Sequence, residues 1–177
     1  NVAKHADQRS LWCSLWPIDG AQGIAMQTVI QADQPRGWLL ERRVLPQHTD
    51  HAGVMWHGAY LAWLEEARVE ALAAVGLAYS DLSALGLELP VVHLAVDYKQ
   101  ALLHGDAVQL WSAVLPRRGV RLPWRSWFVA PGGMVAAQAD VELVLVDLSA
   151  GPAQRRLLRR LPPDLTAAID ALERGPL

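Results

Sequence analysis

One stretch constrains the fold more than any other. From about Trp56 to Val75 the apolar positions follow a helical period. Leu61, Leu64, Arg68, Leu72 and Val75 fall on one stripe, and Tyr60, Trp63, Ala67, Ala71 and Ala74 broaden it. Gly76 stands where a helix C-terminal glycine belongs. At ~1.5 Å per residue this helix is roughly 30 Å long, enough to cross a small sheet. The chain beyond the helix is mostly β in pattern. Residues 89–100, 106–116, 120–130 and 134–148 are rich in Val, Leu and Trp. The breaks between them, at HGD, PRRG and PGG, read as hairpins and hence as antiparallel pairing. GWLLERRVLP (37–46) reads as one strand ahead of the helix. A sheet with one apolar face needs a cover. The expected class is therefore α+β: an antiparallel sheet of about five strands wrapped around one long central helix.

The remaining segments are shorter. Ser80 to Gly86 reads as one further helical turn, capped by Ser80 or Asp81. Residues 1–36 form an N-terminal extension of no assignable structure, 37–166 the folded domain, and 167–177 a tail or short helix. The length, 177 residues, suits one domain. A single cysteine, Cys13, excludes an internal disulfide and suits a reducing cytoplasm; it has no local base motif and reads as a bystander. With 18 acidic and 16 basic side chains the net charge is −2, so no basic field advertises nucleic acid. No apolar run approaches the ~20 residues that span a bilayer. Lys4 and Arg9 are interrupted by Asp7, which makes a poor signal peptide. The expectation is a cytoplasmic protein. Eight tryptophans favour packed cores and interfaces, so a homodimer or homotetramer is expected.

The chemistry concentrates in HTDHAGVMWHGAYLAWLEEARVEAL, which begins at His48. It resembles the signature of the 4-hydroxybenzoyl-CoA thioesterase family, including its YbgC-like branch, roughly D-x-D-x-x-G-x-x-x-H/Y-x-N-Y followed by an acidic-aromatic stretch ending E-A-R. Asp50, Gly53, His57, Tyr60, Glu66, Ala67 and Arg68 match. VDYKQALLHGDAV resembles the family's Y-x-x-P-A-x-x-G-D through Tyr98, Gly105 and Asp106. RRLPPDL resembles its closing segment, so the likeness covers about 37–166. The departures are His48 for the first aspartate, Ala59 for the asparagine, and Ala101-Leu102 for Pro-Ala. The resemblance implies a hotdog fold, an acyl-CoA substrate, no cofactor, and active sites shared between subunits. It implies the attacking role for Asp50 and a polarising N–H at His57.

The residues support that chemistry independently. A thioester carbonyl needs a nucleophile or activated water, and donors for the developing oxyanion. Asp50, in the loop before the helix, can attack directly or act as base on water. The first N–H groups of a helix lack internal partners and favour negative charge. His57 and Gly58 stand there as oxyanion donors. Glycines such as Gly53 permit a tight turn and close approach of an acyl group. Trp56 and Tyr60 complete the expected substrate-binding set at this end. Asp50 by itself also reads as a simple turn former or cap.

Other candidates are weighed against plainer roles. His48, Asp50 and His51 match no closed metal spacing, so no metal is expected. Glu65, Glu66 and Glu70 read as a solvated helix face, with Glu66 a reserve carboxylate. Arg117, Arg118, Arg121 and Arg125 surround a hairpin, and the first three are candidates for CoA phosphates; a solvated hairpin is the plainer reading. Trp124 reads as a stacking partner for adenine, and Trp56, Trp63, Trp124 and Trp127 as walls for an aromatic acyl group or as core. Arg155, Arg156, Arg159 and Arg160 read as solubilising tail charge. The alternatives are a hotdog dehydratase or hydratase, and a non-catalytic acyl-CoA-binding module.

Overall fold

Five strands form the main sheet, and the chain does not visit them in spatial order. The computed structural model describes residues 37–151 and 153–176, so Cys13 and the extension lie outside the described residues. β1 (Trp38–Arg43) leads through a 3-10 turn, Pro46–His48, and a loop into α1 (His57–Ala74). A short helix α2 (Tyr79–Ala84) and β2 (Leu87–Glu88) come next, then β3 (Val91–Tyr98), β4 (Ala107–Val114), β5 (Arg121–Val129), β6 (Val135–Val144), β7 (Val146–Asp147), β8 (Arg156–Leu157) and α3 (Pro163–Arg174). The main sheet has the order β1-β4-β5-β6-β3, and every pairing is antiparallel. β2, β7 and β8 make a small second sheet. This is the expected hotdog architecture.

The apolar pattern explains why α1 is central. Its buried residues are Ala59, Tyr60, Trp63, Leu64, Ala67, Arg68, Ala71 and Leu72. That is a broad arc rather than a stripe, and it packs on Leu110, Trp124, Phe128, Ala139, Val141 and Leu143 of the sheet. Alanines at 59, 67 and 71 let the helix approach the strands closely. Leu61 and Ala74, expected on the buried face, point to solvent. Ser112 and Ser126, facing each other across β4 and β5, bury both hydroxyls in one hydrogen bond of 2.8 Å.

Two expectations need correction. The HGD break is not a hairpin: β3 pairs with β6, and residues 99–106 cross to the other side of the sheet. The physical reason is that Leu102 and Leu103 are buried and the crossover bonds to the loop before α1 instead of turning on itself. The α2 cap is neither Ser80 nor Asp81, because the helix starts earlier, at Tyr79, with Ala78 as its N-cap residue and no side-chain cap. α3 spans the 166/167 position, and Leu165, Ile169 and Leu172 pack into the common core.

Candidate active site

The loop from Thr49 to Met55 folds back on itself. Thr49 bridges Met55, the Asp50 N–H donates to the Val54 carbonyl (2.9 Å), and the Trp56 N–H donates to the His48 carbonyl (3.1 Å). The fold-back places Asp50 opposite Val54 and His48 opposite Trp56, the residue before α1. Gly53 takes a φ of +77°, with open space where a side chain would be, so glycine is required there for backbone conformation and not for lack of room. The crossover clamps the loop from beneath. The Met55 N–H donates to the Leu102 carbonyl (2.8 Å) and the His104 N–H to the Gly53 carbonyl (3.1 Å). The crossover is held in turn by Asp106, whose carboxylate accepts the Leu103 N–H.

Asp50 is exposed and asymmetric. Its Oδ1 accepts the Ala52 and Val54 N–H groups at 2.8 and 3.1 Å, while Oδ2 accepts none among the described residues. The loop thus fixes the carboxylate through one oxygen and leaves the other open. The loop leads into α1, which starts without a capping side chain because its N-cap residue is Trp56. A Ser, Asp or Asn cap would occupy an N–H of the first turn. Here the Ala59 N–H bonds the Trp56 carbonyl, and the His57 and Gly58 N–H groups have no acceptor among the described residues. A free carboxylate oxygen and two free, dipole-favoured donors are the parts that acyl transfer needs.

The aromatic residues sort themselves by burial. The Trp56 indole is half-exposed and lies on Gly58, while the exposed His57 ring stands edge-on to it at 5.3 Å. Tyr60 is buried between Tyr98 and Phe128, with ring centroids 5.0 and 4.9 Å away, and burial pushes its hydroxyl well above the usual phenol range. Tyr98, not Tyr60, presents an exposed ring at this end. The sequence signal for it was its place in VDYKQALLHGDAV. Trp63 and Trp124 are in the core, and Trp124 at 1 % exposure can stack on no ligand, contrary to expectation. Trp127 faces outward, side by side with Trp111. His48, at the position of the family's first aspartate, accepts the Leu45 N–H at Nδ1 (3.1 Å) and meets Trp63 edge-on. Glu66 is ion-paired with Arg42, whose hydrogen bond holds its carboxyl below the usual range. It is engaged in structure rather than free for catalysis. His48, Asp50 and His51 form no metal-holding group among the described residues.

The family model for the thioesterase-like superfamily matches residues 44–169. The chain belongs to that superfamily. The Synechocystis protein sll0410, whose name gives esterase as a provisional activity, is 37% identical over 145 residues, covering 81% of this chain and 85% of that one. The acyl-CoA thioester hydrolase YbgC of Escherichia coli is 28% identical over 105 residues, covering 59% and 78%. Among solved structures, the DHNA-CoA thioesterase of Staphylococcus aureus superposes with a TM-score of 0.67 at 25% identity, over 76% of this chain and 89% of that one. No helix of this superfamily member is long and apolar enough to cross a membrane, among the described residues.

The arginines lie elsewhere. Arg117, Arg118 and Arg121 belong to the β4–β5 hairpin, at the opposite end of the strands from Asp50. Arg117 pairs with Asp170 and Glu173 of α3, Arg121 with Glu142, and Arg118 with Arg121 through the backbone. Beside the hairpin is a cavity of about 300 Å³, lined by Leu122, Leu145 and Ile169 with Arg117, Arg159 and Arg160. Two arginine clusters some forty residues apart thus share one cavity wall. The second was expected to be tail charge; its Arg159 and Arg160 line the cavity, while Arg155 and Arg156, the latter tied to Asp147, do not. Within one chain none of these side chains reaches the Asp50 loop.

Proposed function

We propose that this member of the superfamily hydrolyses acyl-CoA thioesters at Asp50. The observation that carries the reading is an Asp50 oxygen left unbonded in the loop that leads into an uncapped helix start, where the His57 and Gly58 N–H groups are also unbonded among the described residues. The thioester carbonyl oxygen accepts from the two N–H groups, and the rising negative charge is met by the helix dipole. Asp50 then either attacks the carbonyl carbon, expelling the CoA thiolate and leaving an anhydride for water to open, or takes a proton from the water that attacks. Gly53 supplies the turn that aims the carboxylate, and Trp56 and Tyr60 border the acyl group, Tyr60 from behind Tyr98.

We further infer a homodimer through β3. Among the described residues this strand is a sheet edge, and Val91, Val92, Leu94 and Tyr98 are exposed along it. β3 runs from the arginine end of the sheet to the Asp50 end. Antiparallel pairing with a second copy therefore carries the partner's Arg117, Arg118 and Arg121 toward this chain's Asp50. That geometry supports these arginines as contacts for CoA phosphates, with Arg159 and Arg160 beside them.

The test is thiol release from a panel of aromatic and aliphatic acyl-CoAs, comparing wild type with Asp50→Asn. Release that falls at least about 100-fold in the variant, with the fold intact, is the expected outcome, since removing a positioned base or nucleophile costs on the order of 10²–10⁴. Undiminished turnover would overturn the role of Asp50. No release from any acyl-CoA by folded wild type would move the weight to hydration or pure binding.

A further inference from the structure

We propose that the Trp56 indole is the specificity-determining wall of the acyl subsite, and that position 58 is glycine in order to seat it. This rests on the acyl-CoA reading and goes beyond it. A Cβ built at Gly58 would lie 2.1 Å from two atoms of the indole benzo ring and 2.8 Å from a third. The indole therefore fills the volume that any side chain at 58 would occupy. Gly58 has no positive φ and sits inside a regular helix, so backbone freedom does not explain its choice. The expectation that this glycine leaves space for the acyl group is replaced: the space is already taken, by a residue of the same chain. Trp56 remains 44% exposed, so it has a free face. A carbonyl oxygen that accepts from the His57 and Gly58 N–H groups places its acyl group within reach of that face. Small acyl groups meet little of it, and large ones pack along it.

Binding isolates this claim from catalysis. S-phenacyl-CoA and S-acetonyl-CoA are ketone analogues whose thioether cannot be hydrolysed. Their affinities are measured by calorimetry for wild type, Trp56→Ala, Gly58→Ala, the double variant and Trp56→Phe. The ratio favouring phenacyl falls about tenfold in Trp56→Ala, the scale of one lost ring contact. Gly58→Ala falls comparably, because its methyl expels the indole. The double variant is no worse than Trp56→Ala alone, and Trp56→Phe restores part of the ratio. A ratio within twofold of wild type in Trp56→Ala overturns the proposal. So does a further loss on adding Gly58→Ala to Trp56→Ala, which would show that the glycine admits ligand directly. If wild type binds neither analogue, the acyl-CoA reading falls and the wall with it. If the analogues bind and shift as expected without any thioester turnover, the wall stands and the hydrolytic reading falls.

Discussion

Single residues at the start of α1 trade stability for an open site. Trp56 caps nothing, so two helix N–H groups stay available. An aspartate there would accept from an N–H of the first turn, Gly58 or Ala59. Trp56→Asp is expected to be more stable than Trp56→Ala by about 1 kcal/mol in denaturant titration; the proposed mechanism predicts that it is also less active, because the added carboxylate would occupy a donor proposed for the oxyanion. Gly53 holds φ +77° with room to spare, so Gly53→Ala costs about 1–2 kcal/mol of backbone strain and misdirects Asp50, lowering kcat more than it raises KM. Trp124 is fully buried and its indole N–H finds no acceptor among the described residues. Trp124→Phe is therefore expected to cost under about 1.5 kcal/mol, because the lost packing is offset by relief of an unmet donor, while Trp124→Ala costs about 3–5 kcal/mol. The loop that carries Asp50 and Gly53 into a helix starting at His57 was legible because it is local in sequence. The Trp56–Gly58 contact was not: residues two apart on a helix do not ordinarily face each other, and only the rotamer of the indole brings them together.

Among the elements, the crossover between β3 and β4 matters most. Read as a turn, it is instead the bed of the Asp50 loop, with Leu102 and Leu103 buried beneath it. Turn residues in sequence signal a reversal, and they do not signal which strand comes next. The long helix was legible because an 18-residue amphipathic pattern has few other solutions, yet its exact face was off by a few residues. Leu61 and Arg68 were both read onto the buried stripe, and Leu61 is exposed. Arg68 is the one buried, tied to Glu65, with burial holding its basicity down. β3 has the composition of a core strand but lies at an edge, exposed along its length. A charge there should block pairing with a second copy. Leu94→Lys is expected to shift the protein toward monomer in sedimentation, and to lower turnover with it if the site is shared.

The whole molecule responds to acid through pairs drawn from distant parts of the chain. The Arg42 hydrogen bond holds Glu66 below the usual carboxylate range, and the Ser149 hydroxyl and N–H together with Arg156 take Asp147 to about 2. Both folded-state values are depressed. Their contribution is therefore complete above the unfolded values near ~4 and is lost as pH falls through the folded ones. Urea midpoints should hold from pH 7 to about 5 and then decline toward pH 2, with a shallower decline in Asp147→Asn. At neutral pH, Glu66→Gln should cost only about 0.5 kcal/mol, because the pair is more than a third exposed. By itself the sequence determined the helix, the strands and the local loop that joins Asp50 to the helix start, because each is written in short-range periodicity and spacing. Only the tertiary structure decided that β3 lies at the edge, that the crossover supports the loop, and that Arg117 meets Arg159 and Arg160 at one cavity. Those depend on which distant strand wins each edge. That choice is made by summed burial across the whole sheet, which no local pattern records.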